Sequence, residues 1–80
     1  MNEVNSAVDS LVELKDDASV PKNIKLKIEE TISALRDTNE VSIKIHKALN
    51  LLEEIAEDTN LKSYTRTQIW SIISSLENLG

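Results

Sequence analysis

Hydrophobic residues recur along this chain at helical spacing, in four separate stripes. In the first segment Val4, Val8, Leu11 and Leu14 are three or four positions apart, which places them on one face of an α-helix. Three more stripes follow after short polar breaks: Ile24, Ile28, Ile32 and Leu35; Val41, Ile45, Ala48, Leu49, Leu52, Ile55 and Ala56; and Ile69, Ile72, Ile73, Leu76 and Leu79. The pattern predicts four helices of about 15 to 18 residues.

The polar breaks contain signals that end one helix and begin the next. Asp16-Asp17-Ala18-Ser19 ends the first stripe, and Pro21 fits the first turn of the second helix, where its missing N–H has no intrahelical partner to lose. Thr38 or Asn39 can accept a hydrogen bond from the opening N–H groups of the third helix. Near the start of the fourth helix, Thr65 to Gln68 has the spacing of a capping box.

The second half of the chain repeats the first. Residues 7–36 can be laid on residues 48–77 without a gap, at an offset of 41, since 52 minus 11 and 69 minus 28 both give 41. Two-helix units of about 40 residues are also typical of HEAT-like repeats, but two units are too few for an open stack. We therefore expect a single all-α domain over residues 1–80, an antiparallel four-helix bundle made of two helical hairpins, with repeat units at about 2–37 and 39–79.

Composition narrows the class of protein. The chain has no cysteine for a disulfide or a thiolate metal site, so its core must be held by packing alone. The opening MNEVNSAVDS lacks the basic and apolar regions of a secretion signal, and no apolar run approaches the ~20 residues of a membrane span. We expect a cytoplasmic protein that does not enter a membrane.

Candidate catalytic and metal-binding residues are few. His46 is the only histidine, and it lies beside Ile45, outside the predicted core positions, which indicates an ordinary surface residue. The carboxylates of residues 16–17 and 53–58 lack the glycine and the alternating oxygen ligands of an EF-hand loop. The sequence predicts no catalytic residue, no metal site and no cofactor, and hence a protein that is not an enzyme.

Asp17 and Asp58 occupy matching places in the two copies. Each stands at the end of a predicted helix, eight positions before a basic residue, Lys25 or Arg66. The recurrence predicts a structural cap, in which each carboxylate accepts hydrogen bonds from the N–H groups that open the next helix, with the cation nearby.

The two copies differ most in their aromatic residues. Trp70 and Tyr64 are the only ones, and the first copy has Glu29 and Asn23 in their places. Since the first copy accepts the charged Glu29 in the place of Trp70, Trp70 should lie at the boundary or the surface, where Arg66 can stack on it. Alternatively, the fourth helix packs differently from the second helix, and Trp70 closes the core. Trp, Tyr and Arg are favoured at interfaces, so Tyr64, Arg66 and Trp70 form a candidate partner surface.

A few hydrophobic residues lie at the margins of the stripes or outside them, namely Leu26, Leu51, Val12 and Ile72. Together they could form a seam between two copies of the chain. The predicted partner is therefore either another protein, not yet identified, or a second copy in a homodimer.

The alternative to a protein-binding module is an accessory protein that binds RNA. A net charge of −5 argues against a general nucleic-acid binder, because neutralising phosphates requires an excess of Lys and Arg. Basic residues nevertheless concentrate in the second and fourth segments: Lys22, Lys25, Lys27, Lys62 and Arg66.

Several stretches resemble the signature of a small archaeal family that is known only as an uncharacterised protein family. They are DASVPKNI at 17–24, EDTN at 57–60, TRTQIW at 65–70, and Leu76-Glu77. The second signature of that family usually has proline after the aspartate and histidine before the Thr-Arg pair, where this chain has Thr59 and Tyr64. The resemblance covers nearly the whole chain and implies a compact helical bundle in an archaeal cytoplasm, without an assigned activity, cofactor or site.

Overall fold

Four α-helices account for most of the chain. The computed structural model describes residues 2–37 and 40–79. The helices are α1 (Asn2–Lys15), α2 (Lys22–Leu35), α3 (Val41–Ala56) and α4 (Ser63–Glu77). They contain 14, 14, 16 and 15 residues, so two are one residue shorter than the predicted range.

The four helices pack against each other in a ring. Each helix contacts its neighbours in the chain, and α4 packs back against α1. The ring measures 32 × 19 × 19 Å along its principal axes. This arrangement confirms the all-α class that the four stripes predicted.

The predicted stripes form the core, with two changes. The fully enclosed side chains come from every helix and include Leu11, Ile28, Leu52 and Ile69. Val41 was predicted to be buried but is 39% exposed, because it is the first residue of α3 and no preceding helical turn flanks it. Val12 and Ile72, which we also considered for a seam between two copies, belong to the core instead, since Ile72 is buried and Val12 packs against the buried cluster.

The starts of the helices differ from the predictions. Pro21 precedes α2 with ψ of 150°, so it is the N-cap rather than a residue of the first turn, and no side chain caps this helix. The prediction of a capping box at Thr65 to Gln68 is wrong, because α4 already begins at Ser63 and Thr65 lies buried within the helix. The predicted caps Thr38 and Asn39 lie outside the described residues, and the N-cap position of α3 is Glu40.

The connections α1–α2 and α3–α4 share the same backbone hydrogen bonds. The N–H of Asp17 donates to Leu14 O and that of Asp58 to Ile55 O, each at 3.1 Å. The carbonyls of the two aspartates accept from Val20 N at 3.1 Å and from Leu61 N at 3.2 Å. Both connections thereby turn one apolar side chain, Val20 or Leu61, into the core.

Candidate partner surface on the fourth helix

The carboxylates of Asp17 and Asp58 organise the turns rather than the helices that follow. Oδ1 of Asp17 accepts hydrogen bonds from the N–H of Ser19 at 2.8 Å and from its hydroxyl at 2.7 Å. Oδ1 of Asp58 accepts from the N–H of Asn60 at 2.8 Å. The predicted donors were the opening N–H groups of α2 and α4, so the predicted helix caps are wrong. Each aspartate instead closes an Asx turn, in which its carboxylate accepts from the N–H of the residue two positions later.

Hydrogen bonds from Ser19 lower the pKa of the Asp17 carboxyl below its ordinary value. The bond from the Ser19 N–H has the largest effect on this pKa, and the bond from the Ser19 hydroxyl has the second largest. Desolvation opposes this effect, and the positive charges of Lys62 and Lys25 make smaller contributions that lower the pKa further. Lys62 belongs to the α3–α4 connection, so the two connections lie at the same end of the molecule.

Acidification should therefore destabilise the fold through Asp17. Because the folded-state pKa is lowered, ionised Asp17 stabilises the fold above the unfolded value of about 3.9, and this contribution is lost as the pH falls through the folded value. We expect Asp17→Asn to flatten the fall of Tm below about pH 4, measured by thermal unfolding from pH 7 to 2.5. Asp16→Asn is the control, and equal flattening by both variants would show that the Ser19 bonds are not the cause.

Arg66 binds the end of the preceding helix. Its Nε donates to the carbonyl oxygen of Ala56 at 3.0 Å, and its Nη2 donates to that of Asp58 at 2.6 Å. Ala56 is the last residue of α3, where carbonyl groups have no intrahelical donor and a positive charge is favoured. Arg66 therefore ties α3 to α4, and among the described residues it makes no ring contact with Trp70.

Trp70 and Tyr64 lie on the surface of α4. Trp70 is 49% exposed, so the interpretation in which it closes the core is wrong. Tyr64 is 71% exposed, and its hydroxyl accepts a weak hydrogen bond of 3.4 Å from Gln68 Nε2. The two aromatic residues are six positions apart, which places them about 120° from each other around the helix, on opposite edges of its exposed side.

The exposed side of α4 is uncharged up to the last residue of the helix, Glu77. From Ser63 to Leu76 the only ionisable cation is Arg66, whose guanidinium is held by the carbonyls of α3, and no acidic residue occurs before Glu77. The surface of α4 that we call its outer face is formed by these exposed residues: Tyr64, Thr67, Trp70, Ser71, Ser74 and Ser75. The Ser and Thr residues between positions 63 and 75 indicate this lack of charge in the sequence, but the predictions above did not include it.

A second surface feature is an open groove of about 700 Å³ along the outside of α2 and α3. The α2–α3 groove is lined by Leu26, Glu29, Glu30, Ser33, Ala34, Asp37, Lys47, Asn50 and Leu51. Leu26 is 54% exposed and Leu51 is half-buried, so these two residues do lie on the surface as predicted. Ile43 is also exposed and was not singled out from the sequence, although it stands two positions from the core residue Ile45 and must face away from it.

Some of the basic residues predicted to bind RNA interact with other groups of the chain. Lys27 pairs with Glu54 at 3.7 Å, and Arg66 is bound to backbone carbonyls. Lys25 and Lys62 lie close enough to Asp17 to lower its pKa. Two of the five predicted RNA contacts, Lys27 and Arg66, are therefore engaged with acceptors within the chain.

The described residues contain no group of three or more His, Asp or Glu arranged to hold a metal ion. His46 is exposed on α3, as predicted. Over the same part of the chain, no helix has the length and apolarity to cross a membrane.

Comparison with known proteins decides the family. A family model described as an uncharacterised protein family, UPF0147, matches residues 1–79. The chain belongs to the UPF0147 family. The resemblance drawn from the signature stretches is thereby confirmed at the level of the family, whose members include proteins from many archaea.

Three UPF0147 relatives illustrate the extent of the similarity. The protein of Methanocaldococcus jannaschii is 40% identical over 70 residues, covering 86% of this chain and 75% of its own. The Archaeoglobus fulgidus protein is 34% identical over 80 residues, covering 100% and 88%. The Pyrococcus abyssi protein is 32% identical and covers 99% of both chains.

One solved structure matches the UPF0147 chain closely. The crystal structure of the unknown function protein MMP1188 superposes with a TM-score of 0.93 and 33% identity, covering 98% of this chain and 90% of that one. The match shows that the two proteins share their four-helix fold. Neither the family nor these relatives carry an assigned activity.

Proposed function

We propose that this protein is a non-enzymatic interaction module of the cytoplasm, which binds a protein partner through the outer face of α4. One observation carries the proposal: Trp70, the only tryptophan, is half exposed on a folded helix. A tryptophan presents a large apolar area, and it is among the residues most often found to dominate binding energy at interfaces.

The charge distribution around Trp70 supports the same function. The outer faces of the other helices carry ions, such as Asp9 on α1, Glu30 on α2 and Glu53 on α3. The exposed side of α4 carries none before its last residue, Glu77. Depletion of charge together with enrichment of aromatic residues is what distinguishes the centre of an interface from ordinary surface.

The candidate residues have different roles in this proposal. Trp70 and Tyr64 contact the partner, since their side chains are exposed on two edges of the outer face. Arg66 is a positioning residue, because its hydrogen bonds to Ala56 and Asp58 hold the start of α4 against the end of α3. A helix of 15 residues is about 22 Å long, which offers less than the ~800 Å² per partner of a standard interface, so we expect weak, reversible binding.

The partner is a different protein or a second copy of this chain. Two copies, each with a net charge of −5, repel one another over most of their surfaces. The outer face of α4 is where that repulsion is smallest, so a homodimer would form there.

Affinity capture from the cells that make the protein tests the proposal. We expect the double variant Trp70→Ala/Tyr64→Ala to lose its captured partner, including a second copy, by more than about tenfold, while its circular dichroism and Tm stay near the wild-type values. The matched control is Ile43→Ala, which removes an exposed hydrophobic side chain from α3. Equal capture by all three proteins would contradict the proposal.

RNA binding is the less supported alternative. Two of its five candidate residues, Lys27 and Arg66, are engaged with acceptors in the chain, and the overall charge is negative. In the capture experiment it predicts RNA in the bound material, in amounts that fall steeply between about 50 and 200 mM salt.

We also infer that the four helices are two antiparallel hairpins derived from one duplicated unit. Consecutive helices that touch and are joined by short connections must run in opposite directions. The duplication is supported by the matching hydrogen bonds at Asp17 and Asp58 and by the equally buried pairs Leu11 with Leu52 and Ile28 with Ile69.

A further inference from the structure

We propose that the α2–α3 groove binds a basic amphipathic helix of a partner protein. The site is separate from the outer face of α4, and the inference does not depend on the function proposed for that face. Three properties of the groove support it: its shape, its apolar residues and its charge.

The shape suits a helix. Two helices packed side by side leave a groove along which a third helix can lie. The α2 side of the groove includes Ser33 and Ala34, whose small side chains let the backbone of a partner approach α2 closely. The groove follows α2 and α3, and α2 alone, with 14 residues, spans about 21 Å, the length of almost four helical turns.

Each of the two helices contributes one leucine to the lining of the groove. Leu26 projects from α2 with 54% of its surface exposed, and Leu51 from α3 is half-buried. An apolar stripe on a partner helix would remove both leucines from water, which is the main source of free energy in helix-in-groove recognition.

The charge selects a basic partner. Three carboxylates, those of Glu29, Glu30 and Asp37, line the groove beside one ammonium group, that of Lys47. The Glu29 carboxylate makes only a long ion pair of 3.9 Å with Lys15, and both side chains are substantially exposed. Lysine or arginine on the flanks of a partner helix would complement these acids, and the net charge of −5 would steer such a helix toward the protein. A second copy of this chain is disfavoured here, because it would bring the same negative charge.

Amide NMR titration with two synthetic probes tests the proposal. The first probe is an amidated 18-residue helix with leucine on one face and lysine on the other, and the second has glutamate in place of every lysine. At 0.15 M salt we expect the lysine probe to shift amides of α2 and α3 along the groove, with a Kd on the order of 10 to 100 µM, and the glutamate probe to cause no saturable shifts.

Variants locate the binding. Leu26→Asp should lower the affinity for the lysine probe by about tenfold, and the double variant Glu29→Gln/Glu30→Gln should lower it by at least about threefold. Glu53→Gln/Glu57→Gln removes the same charge from exposed positions outside the groove and should leave the affinity within about twofold. Trp70→Ala should have no effect. Leu26 is exposed, and circular dichroism of its variant checks that the fold is kept.

Four results would overturn the proposal. They are the absence of shifts at 1 mM lysine probe, shifts spread evenly over the molecule, equal weakening by the two glutamine double variants, and equally tight binding of a free tetra-amine. The last result would make the groove a general cation site rather than a site for a helix.

Discussion

Replacing Leu52 by Ala should lower the free energy of unfolding by about 3 to 5 kcal/mol. Leu52 is fully enclosed at the centre of the α3 stripe, so truncating it removes buried methyl groups and leaves a cavity that the neighbouring helices can fill only in part. A chain of this size is stable by roughly 4 to 12 kcal/mol in total. The variant should therefore melt about 12 to 40 °C below the wild type, or be partly unfolded at room temperature.

Leu26→Ala is the matched control for Leu52→Ala. It makes the same chemical change on α2 at a position that is mostly in water, and should cost no more than about 0.5 kcal/mol. Urea unfolding of both variants, followed by helical circular dichroism, gives the two free energies. If the two variants were equally stable, the assignment of the α3 stripe to the core would fail.

Replacing Arg66 by Met should cost about 2 to 3 kcal/mol, or roughly 8 to 24 °C in Tm. Methionine keeps much of the apolar stem but removes both charge-assisted hydrogen bonds to the carbonyls of Ala56 and Asp58. Those carbonyl groups lie at the end of α3, and the substitution removes the side-chain donor that Arg66 provides to them. Arg66→Lys should fall between wild type and Arg66→Met, because an ammonium group cannot reproduce the two-pronged donation of a guanidinium.

The control for Arg66→Met is Lys25→Met at the corresponding position of the first copy. Lys25 acts on Asp17 through its charge, without hydrogen bonds of this kind to the end of α1. We expect Lys25→Met to change stability by no more than about 0.5 kcal/mol. Thermal unfolding compares the two, and equal losses would show that the contacts of Arg66 with α3 contribute little.

The hydrophobic stripes predicted the fold well, because burial depends on periodic spacing that the sequence displays directly. Ile28, Leu52 and Ile69 stand at stripe positions and are fully enclosed. The helix starts were predicted poorly. The residue type of Thr65 favours a cap, yet the helix begins two residues earlier and packing places Thr65 inside.

The candidate site could be predicted only in part. Comparing the two copies directed attention to Trp70 and indicated a boundary or surface position, and its exposure agrees with that interpretation. The role of Arg66 could not be read from spacing, since an arginine four residues before a tryptophan can stack on it or reach elsewhere. Only the folded arrangement shows its donors directed to the end of α3. The α2–α3 groove likewise depends on the placement of two helices side by side.

Acrylamide quenching of the Trp70 fluorescence tests the central claim most directly, because Trp70 is the only tryptophan in the chain. In the isolated folded protein at low micromolar concentration, Trp70 should be readily quenched, at a rate near half that of the urea-unfolded chain. Addition of the partner captured through the wild-type protein should shift the emission to the blue and strongly reduce quenching. A tryptophan protected in the isolated protein, or one that stays equally accessible in the complex, would contradict the account.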